Sequence, residues 1–220
     1  MSELLFNELP RPTFRWLRVN HTVSSLAGED TAVQSIAVEA NKDILSPLPV
    51  GTALLDGNYE GANKEAVQVL VEKAEGYAIN VPPKAKEVVG IRIDANARVA
   101  NRFQFIVGEG AELEVQFYVT GSGDALTNVS YLNEYDVKEA GKVVVKKVNL
   151  LPEHVQHIEH RYTKLEEKAD VEYINIEIGG SENILNYYHD LVGQESRMVH
   201  DITYLGNKEQ KFDISMVMSH

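Results

Sequence analysis

The segment LPEHVQHIEHRY, residues 151–162, sets His154, His157 and His160 three positions apart, and imidazole is the commonest metal-binding side chain. Helical geometry would gather the three rings within an arc of about 120° and offer two of them to one ion. Strand geometry separates them: His154 and His160 share one face while His157 points to the other. Pro152, Val155, Ile158, Tyr162 and Leu165 also suit a helix, so both conformations stay open from the residues alone. A solvated or partner-facing strand is favoured over a metal site. The remaining histidines, His21, His189, His200 and His220, are scattered and read as ordinary hydrogen-bonded residues.

Other chemistries are bounded by composition. The chain has no cysteine, which removes disulfides, thiolate zinc sites, a nucleophilic thiol and a cluster held by its own sulfur. Gly108 to Gly110 and Gly121 to Gly123 lack the third glycine of a dinucleotide loop and read as turns. No G-x-S-x-G elbow, H-E-x-x-H pair or calcium loop is present. Glu112 and Glu114 alternate with Leu113 and Val115, which places both carboxylates on a solvated face. A hydrolase with paired carboxylates would have to draw them from distant parts of the chain. With 21 basic and 33 acidic side chains the net charge is −12, so phosphate backbones and anionic lipid are repelled, and neither nucleic acid nor membrane is an expected partner.

The elements that must position any site are mostly strands. Val (26 copies), Ile (13) and Tyr (10) concentrate after about residue 78. There a small or polar turn is repeatedly followed by period-2 alternation: residues 107–119, 137–148, 164–178, 191–205 and 205–218. Each unit has an apolar face it cannot bury alone, so stacking predicts a β-solenoid, with a β-sandwich as the alternative. Residues 1–75 form a separate N-terminal region. It holds an extended arm, LPRPTFRWLRVN, whose Phe14, Trp16 and Leu17 are expected to dock on another surface. One helix follows at 62–74, with Asn63 as N-cap, Gly76 as stop, and Ala66, Leu70, Val71 and Ala74 near one face. The longest uncharged run, residues 44–55, contains Pro47, Pro49 and Gly51 and reads as a loop too short to span a membrane. Glu3 and Glu8 and the lack of a basic start point to a cytoplasmic chain without a signal peptide.

Several of these segments resemble the SufB/SufD family of iron–sulfur cluster assembly proteins, on its SufD-like side. The arm is similar to that family's Leu-Pro, Thr, Trp-x-x-Leu and Val-Asn order, and GYAINVPPKAKEV to its strand, Val-Pro and lysine turn. RFQFIVGEGAELEVQFYV resembles its I-V-x-G-E-G-A-E turn, and INIEIGG with NYYHDLVGQES its L-G-G and D-L-x-G stretch. FDISMVMSH resembles its Asp-x-x-Thr-x-Val-x-His, keeping Asp213 and His220 but carrying Met216 and Met218 in place of Thr and Val.

The resemblance implies a right-handed parallel β-helix over 76–220, apparently short at its C-terminal end. It also implies a non-catalytic scaffold of the SUF system that contacts a SufB-like paralogue and a cytoplasmic ABC-type ATPase. An iron–sulfur cluster would then be handled transiently by the complex, with no cofactor bound by this chain itself. No residue here matches the family's cluster-associated region, so catalytic and metal residues are assigned to none, and Asp213 and His220 keep an open role. An uncovered last coil predicts a homo-oligomer formed through the C-terminal strands. The competing class is a β-solenoid carbohydrate binder or hydrolase that uses surface carboxylates.

Overall fold

The computed structural model describes residues 3–8, 22–25, 36–56, 64–122 and 127–220, and places them in strands with one helix. Alternation in the second part of the chain builds paired strands, two to a coil: β5 (Gly76–Val81) with β6 (Lys86–Asp94), then β7 (Val99–Val107) with β8 (Glu112–Thr120). β9 (Thr127–Val137) with β10 (Lys142–Asn149), β11 (Val155–Leu165) with β12 (Asp170–Glu177), and β13 (Glu182–Leu191) with β14 (Arg197–Tyr204) follow, and β15 (Lys211–Ser219) opens the next coil. Neighbouring strands are parallel and come from successive coils, giving one sheet of β6, β8, β10, β12 and β14 and a facing sheet of β5, β7, β9, β11, β13 and β15. This is the parallel β-solenoid that the repeats predict. It is not a sandwich, whose sheets would be antiparallel.

The bend between the two sheets explains the repeat. Lys84, Gly110, Ala140, Lys168 and Glu195 stand at equivalent places in five bends with φ between 54° and 62°. In each bend an i to i+3 backbone bond closes across this residue, for example Ala85 N–H to Pro82 O and Gly141 N–H to Lys138 O. A positive φ at the third of four residues is what a type II turn requires, and Pro83 sits at the second position, where such a turn favours proline. The bends also bond to one another: Lys84 N–H donates to Glu109 O, Gly110 to Glu139, Ala140 to Glu167 and Lys168 to Gln194, all at 2.8–2.9 Å. Four of the five repeat copies carry this bend. The fifth, residues 205–218, spans the opposite bend between β14 and β15, which is why its spacing is shorter.

The N-terminal region closes the first coil and covers one outer face. β3 (Ile36–Glu39) pairs antiparallel with β6, and β4 (Leu45–Leu48) with β5. The run 44–55 is therefore not all loop: β4 forms within it, and Pro47 is tolerated because β4 is an edge strand with no further neighbour to receive an N–H bond. The helix α1 runs Lys64–Lys73, and Asn63 lies outside the described residues. Its Val67 and Leu70, with Ala74 just beyond, pack on Leu132 and Tyr162, on the outward side of β9 and β11. β1 (Glu3–Phe6) and β2 (Thr22–Ser25) form an antiparallel hairpin, and Leu4 and Phe6 join Ala66 of the helix over Ile158 and Ile184. The sheet beneath is thus buried on both faces. Phe14, Trp16 and Leu17 lie outside the described residues.

An alanine in the left-handed region carries a backbone strain of about 1–2 kcal/mol that glycine avoids, against about 0.4–1 kcal/mol of extra unfolded-chain entropy. Ala140→Gly is expected to raise stability by about 0.5–1 kcal/mol, read as a higher urea midpoint at unchanged m-value.

Candidate functional site

The interior between the two sheets changes character along the solenoid. In the early coils it is apolar apart from Asn101: Ile79, Val89, Ile91, Ile93, Phe103, Phe105 and Phe117 are all buried. The same positions then turn polar. Phe117 is followed in register by Lys147 and Asn175, and Val119 by Asn149 and Glu177. In the facing sheet Phe103 is followed by Asn133 and Arg161, and Asn101 by Tyr131 and Glu159.

Glu159 is the hub of this interior. Its carboxylate accepts from Lys147 Nζ, from Arg161 Nε and Nη2 at 3.1 and 2.6 Å, from Asn133 Nδ2 at 3.0 Å and from Tyr187 Oη at 3.1 Å. Lys147 also reaches Glu177 at 2.6 Å, so one ammonium joins two carboxylates, all without solvent exposure. Asn149 donates to Glu177 at 3.0 Å and to Asn183 Oδ1 at 3.0 Å, and His157 Nε2 lies 3.1 Å from Tyr131 Oη. The Arg161 guanidinium carbon sits 4.3 Å above the Tyr173 ring and 4.5 Å from that of Tyr187.

Electrostatics separate the two carboxylates. Burial acts to raise Glu159, but the Arg161 and Lys147 cations outweigh it and hold its carboxyl well below the usual range. For Glu177 burial wins over Lys147 and the group is raised. Burial, reinforced by the Lys147 cation, pulls His157 down to about 3, so its ring is neutral near pH 7. The arrangement saturates its charges internally: two cations face two anions, and the hydrogen-bonding groups around them are mostly matched. Such a core fixes strand register, and its members are buried away from any substrate.

A family model for the SufBD core domain of SUF-system FeS cluster assembly matches residues 91–220, more than half of the chain. The chain belongs to the SufBD family. No curated protein and no solved structure matches it. The matched span runs from within β6 to the last residue, so every member of the buried SufBD network lies inside it. Membership places the chain in SUF iron–sulfur cluster assembly, a family of scaffold-type components.

Within this SufBD chain the three spaced histidines do not converge. β11 is a strand, with His157 on its interior face and His160 on the other. The expectation that this strand is solvated is corrected: both rings are fully buried, because the facing sheet covers one side and Phe6 stacks 6.3 Å from His160 on the other. Among the described residues no three His, Asp or Glu side chains gather as a metal site. Asp213 lies on the outward face of β15, where its carboxylate accepts from Asn7 Nδ2 at 2.7 Å and from Thr22 Oγ1. It thus clamps the β1–β2 hairpin. Asn186 donates to Asn7 Oδ1 at 2.7 Å and completes the clamp. His220 is exposed.

A second buried group fastens the stretch 49–56 to the same outer face. Arg102 donates to Thr52 O at 2.7 Å and to Glu134 at 3.1 Å, Gln104 donates to Ala53 O at 2.8 Å, and Leu55 N–H donates to Glu134 at 2.7 Å. Burial raises Glu134 despite these partners. The sequence did carry a signal for the interior network. Lys147 shares the parity of Val143 and Val145, and Glu159 and Arg161 that of Val155 and Leu165, so charge on the apolar parity marks the buried polar face.

Two outcomes follow. Removing Glu159 leaves Lys147 and Arg161 buried without their shared partner, so Glu159→Ala is expected to cost about 3–5 kcal/mol in urea unfolding, while the exposed Glu114→Ala stays within about 0.5 kcal/mol. Burial also pulls His160 down to about 4. A depressed imidazole binds fewer protons folded than unfolded, so its contribution is whole above about pH 6.5 and is lost as pH falls toward 4. The raised Glu134 and Glu177 act in the opposite sense, so the comparison is made against the parent chain. His160→Leu should reduce the acid-side slope of stability by about 1.4 kcal/mol per pH unit in that window.

Proposed function

We propose that this SufBD-family chain is a non-catalytic scaffold of SUF iron–sulfur cluster assembly. It works through contacts with a SufB-like paralogue and an ABC-type ATPase, in the cytoplasm, and the cluster passes through the complex as cargo. The family match over residues 91–220 carries the reading. Three further observations support it. The interior charges of Lys147, Arg161, Glu159 and Glu177 pair with one another. On the outward face of the β6–β14 sheet, Glu112 meets Lys86 and Glu114 meets Lys146, each at 2.8 Å across neighbouring coils, so these surface carboxylates are matched by lysines. Finally, no helix among the described residues is long and apolar enough to cross a membrane.

Self-association belongs to the same proposal. β14 and β15 have no neighbour on their outer side among the described residues, and their free N–H and C=O groups suit pairing with another strand. Co-expression with a SufB-like paralogue and its ATPase, followed by affinity capture and light scattering, tests the reading. Retention of both partners through size exclusion is the expected result. Failure to retain either, with the chain folded by circular dichroism, overturns it.

A further inference from the structure

Three of the chain's four methionines, Met198, Met216 and Met218, fall in the last two strands. Strand parity turns all three inward. Met198 pairs with the interior Val171, Met216 with Tyr187 and Met218 with His189. Met218 thereby stands one strand spacing, about 4.8 Å, from His189 along the solenoid axis. Met198 and His200 are two residues apart on the facing strand, with the same inward parity. Register and parity therefore place these thioethers and imidazoles at one end of the interior, beside the bend from β13 into β14.

The imidazoles there have unused nitrogens. His189 is fully buried, and neither of its ring nitrogens has a hydrogen-bond partner. His200 uses Nε2 toward Asn175 Nδ2 at 3.2 Å and leaves Nδ1 without one. The two rings lie 5.5 Å apart, centroid to centroid, and are inclined at 71°. With metal–nitrogen bonds near 2 Å, two imidazoles on one tetrahedral ion have their centroids roughly 5–6 Å apart. Burial and the nearby Arg161 charge pull His189 down to about 3 and His200 to about 2, which leaves both lone pairs available at neutral pH.

We propose that His189, His200, Met218 and Met198 form a binding site for a soft monovalent cation, copper(I). Two neutral nitrogens with thioether sulfur form the donor set that selects copper(I) over harder ions. Charge points the same way. No carboxylate belongs to the set, and the Arg161 guanidinium, paired with Glu159 at 2.6 Å, stacks on Tyr173 and Tyr187, the rings that also flank His200. A divalent ion would meet that cation with twice the repulsion and with no anionic ligand to offset it. The unbranched methionine side chains can close on an ion by rotamer change. The site is independent of the scaffold role.

The full chain, reduced and anaerobic, is titrated with copper(I) against bicinchoninate as chromogenic competitor. One equivalent withheld from the competitor is the expected result, with X-ray absorption showing mixed nitrogen and sulfur ligation. Met198→Leu/Met218→Leu conserves volume and should keep the fold, and it is expected to weaken retention at least tenfold; His200→Gln should do the same. No withheld copper(I), retention unchanged in the methionine double variant, or zinc(II) held as tightly as copper(I) each overturns the proposal.

Discussion

Parallel in-register pairing of successive coils is the constraint from which the remaining structure follows. Because partners in one sheet recur every 26 to 30 residues, each interior side chain lies against its counterpart one coil earlier and one coil later. Identity at one position therefore limits its neighbours along the axis. Phe105 stacks on Tyr135 at 4.5 Å with the rings nearly parallel, and Phe117 lies parallel to Tyr131. The left-handed bend residue maintains this register: its own N–H closes the ladder to the next bend, while the N–H of the residue after it closes the turn.

The same stacking accounts for the buried charges. A lone Lys147 between two sheets would be untenable, as would a lone Glu159. In successive coils they fall within reach of one another, and Arg161, Glu177, Asn133 and Tyr187 complete their partners. The energetic value of such a network against a purely apolar interior is small or negative, while the cost of breaking it is large. It specifies alignment: a one-residue slip of β11 would send Glu159 and Arg161 to the outer face and bring His160 and Ile158 inward.

Much of this was legible in the chain. Period-2 alternation after small turns marked the coils, and part of the family resemblance lay in bend sequences that the structure shows stacked. The covering of the outer face was not legible. It depends on Asn7 meeting Asp213 and on Arg102 meeting the backbone of Thr52, and local periodicity records no such long-range pairing. For that reason His160, which by parity faces outward, reads as solvated in sequence and is buried in fact. The short strand β4 escaped for a different reason: Pro47 argues against a strand except at an edge, and edge position is a property of the assembled sheet.

The clamp at Asp213 joins residues separated by 206 positions in the chain. Contacts so distant in sequence form late, since the loop between them must be closed before they return any free energy. The surface under the β1–β2 hairpin is assembled from Ala66, Ile158 and Ile184 as well as Asp213, so it is complete only once β15 is in place. The coils can wind in order from β5 onward, each templated by the last, while the hairpin waits for β15. The covering layer thus acts as a latch set after winding, and it ties β7 and β9, through α1 and the stretch 49–56, to the same outer face as β11, β13 and β15.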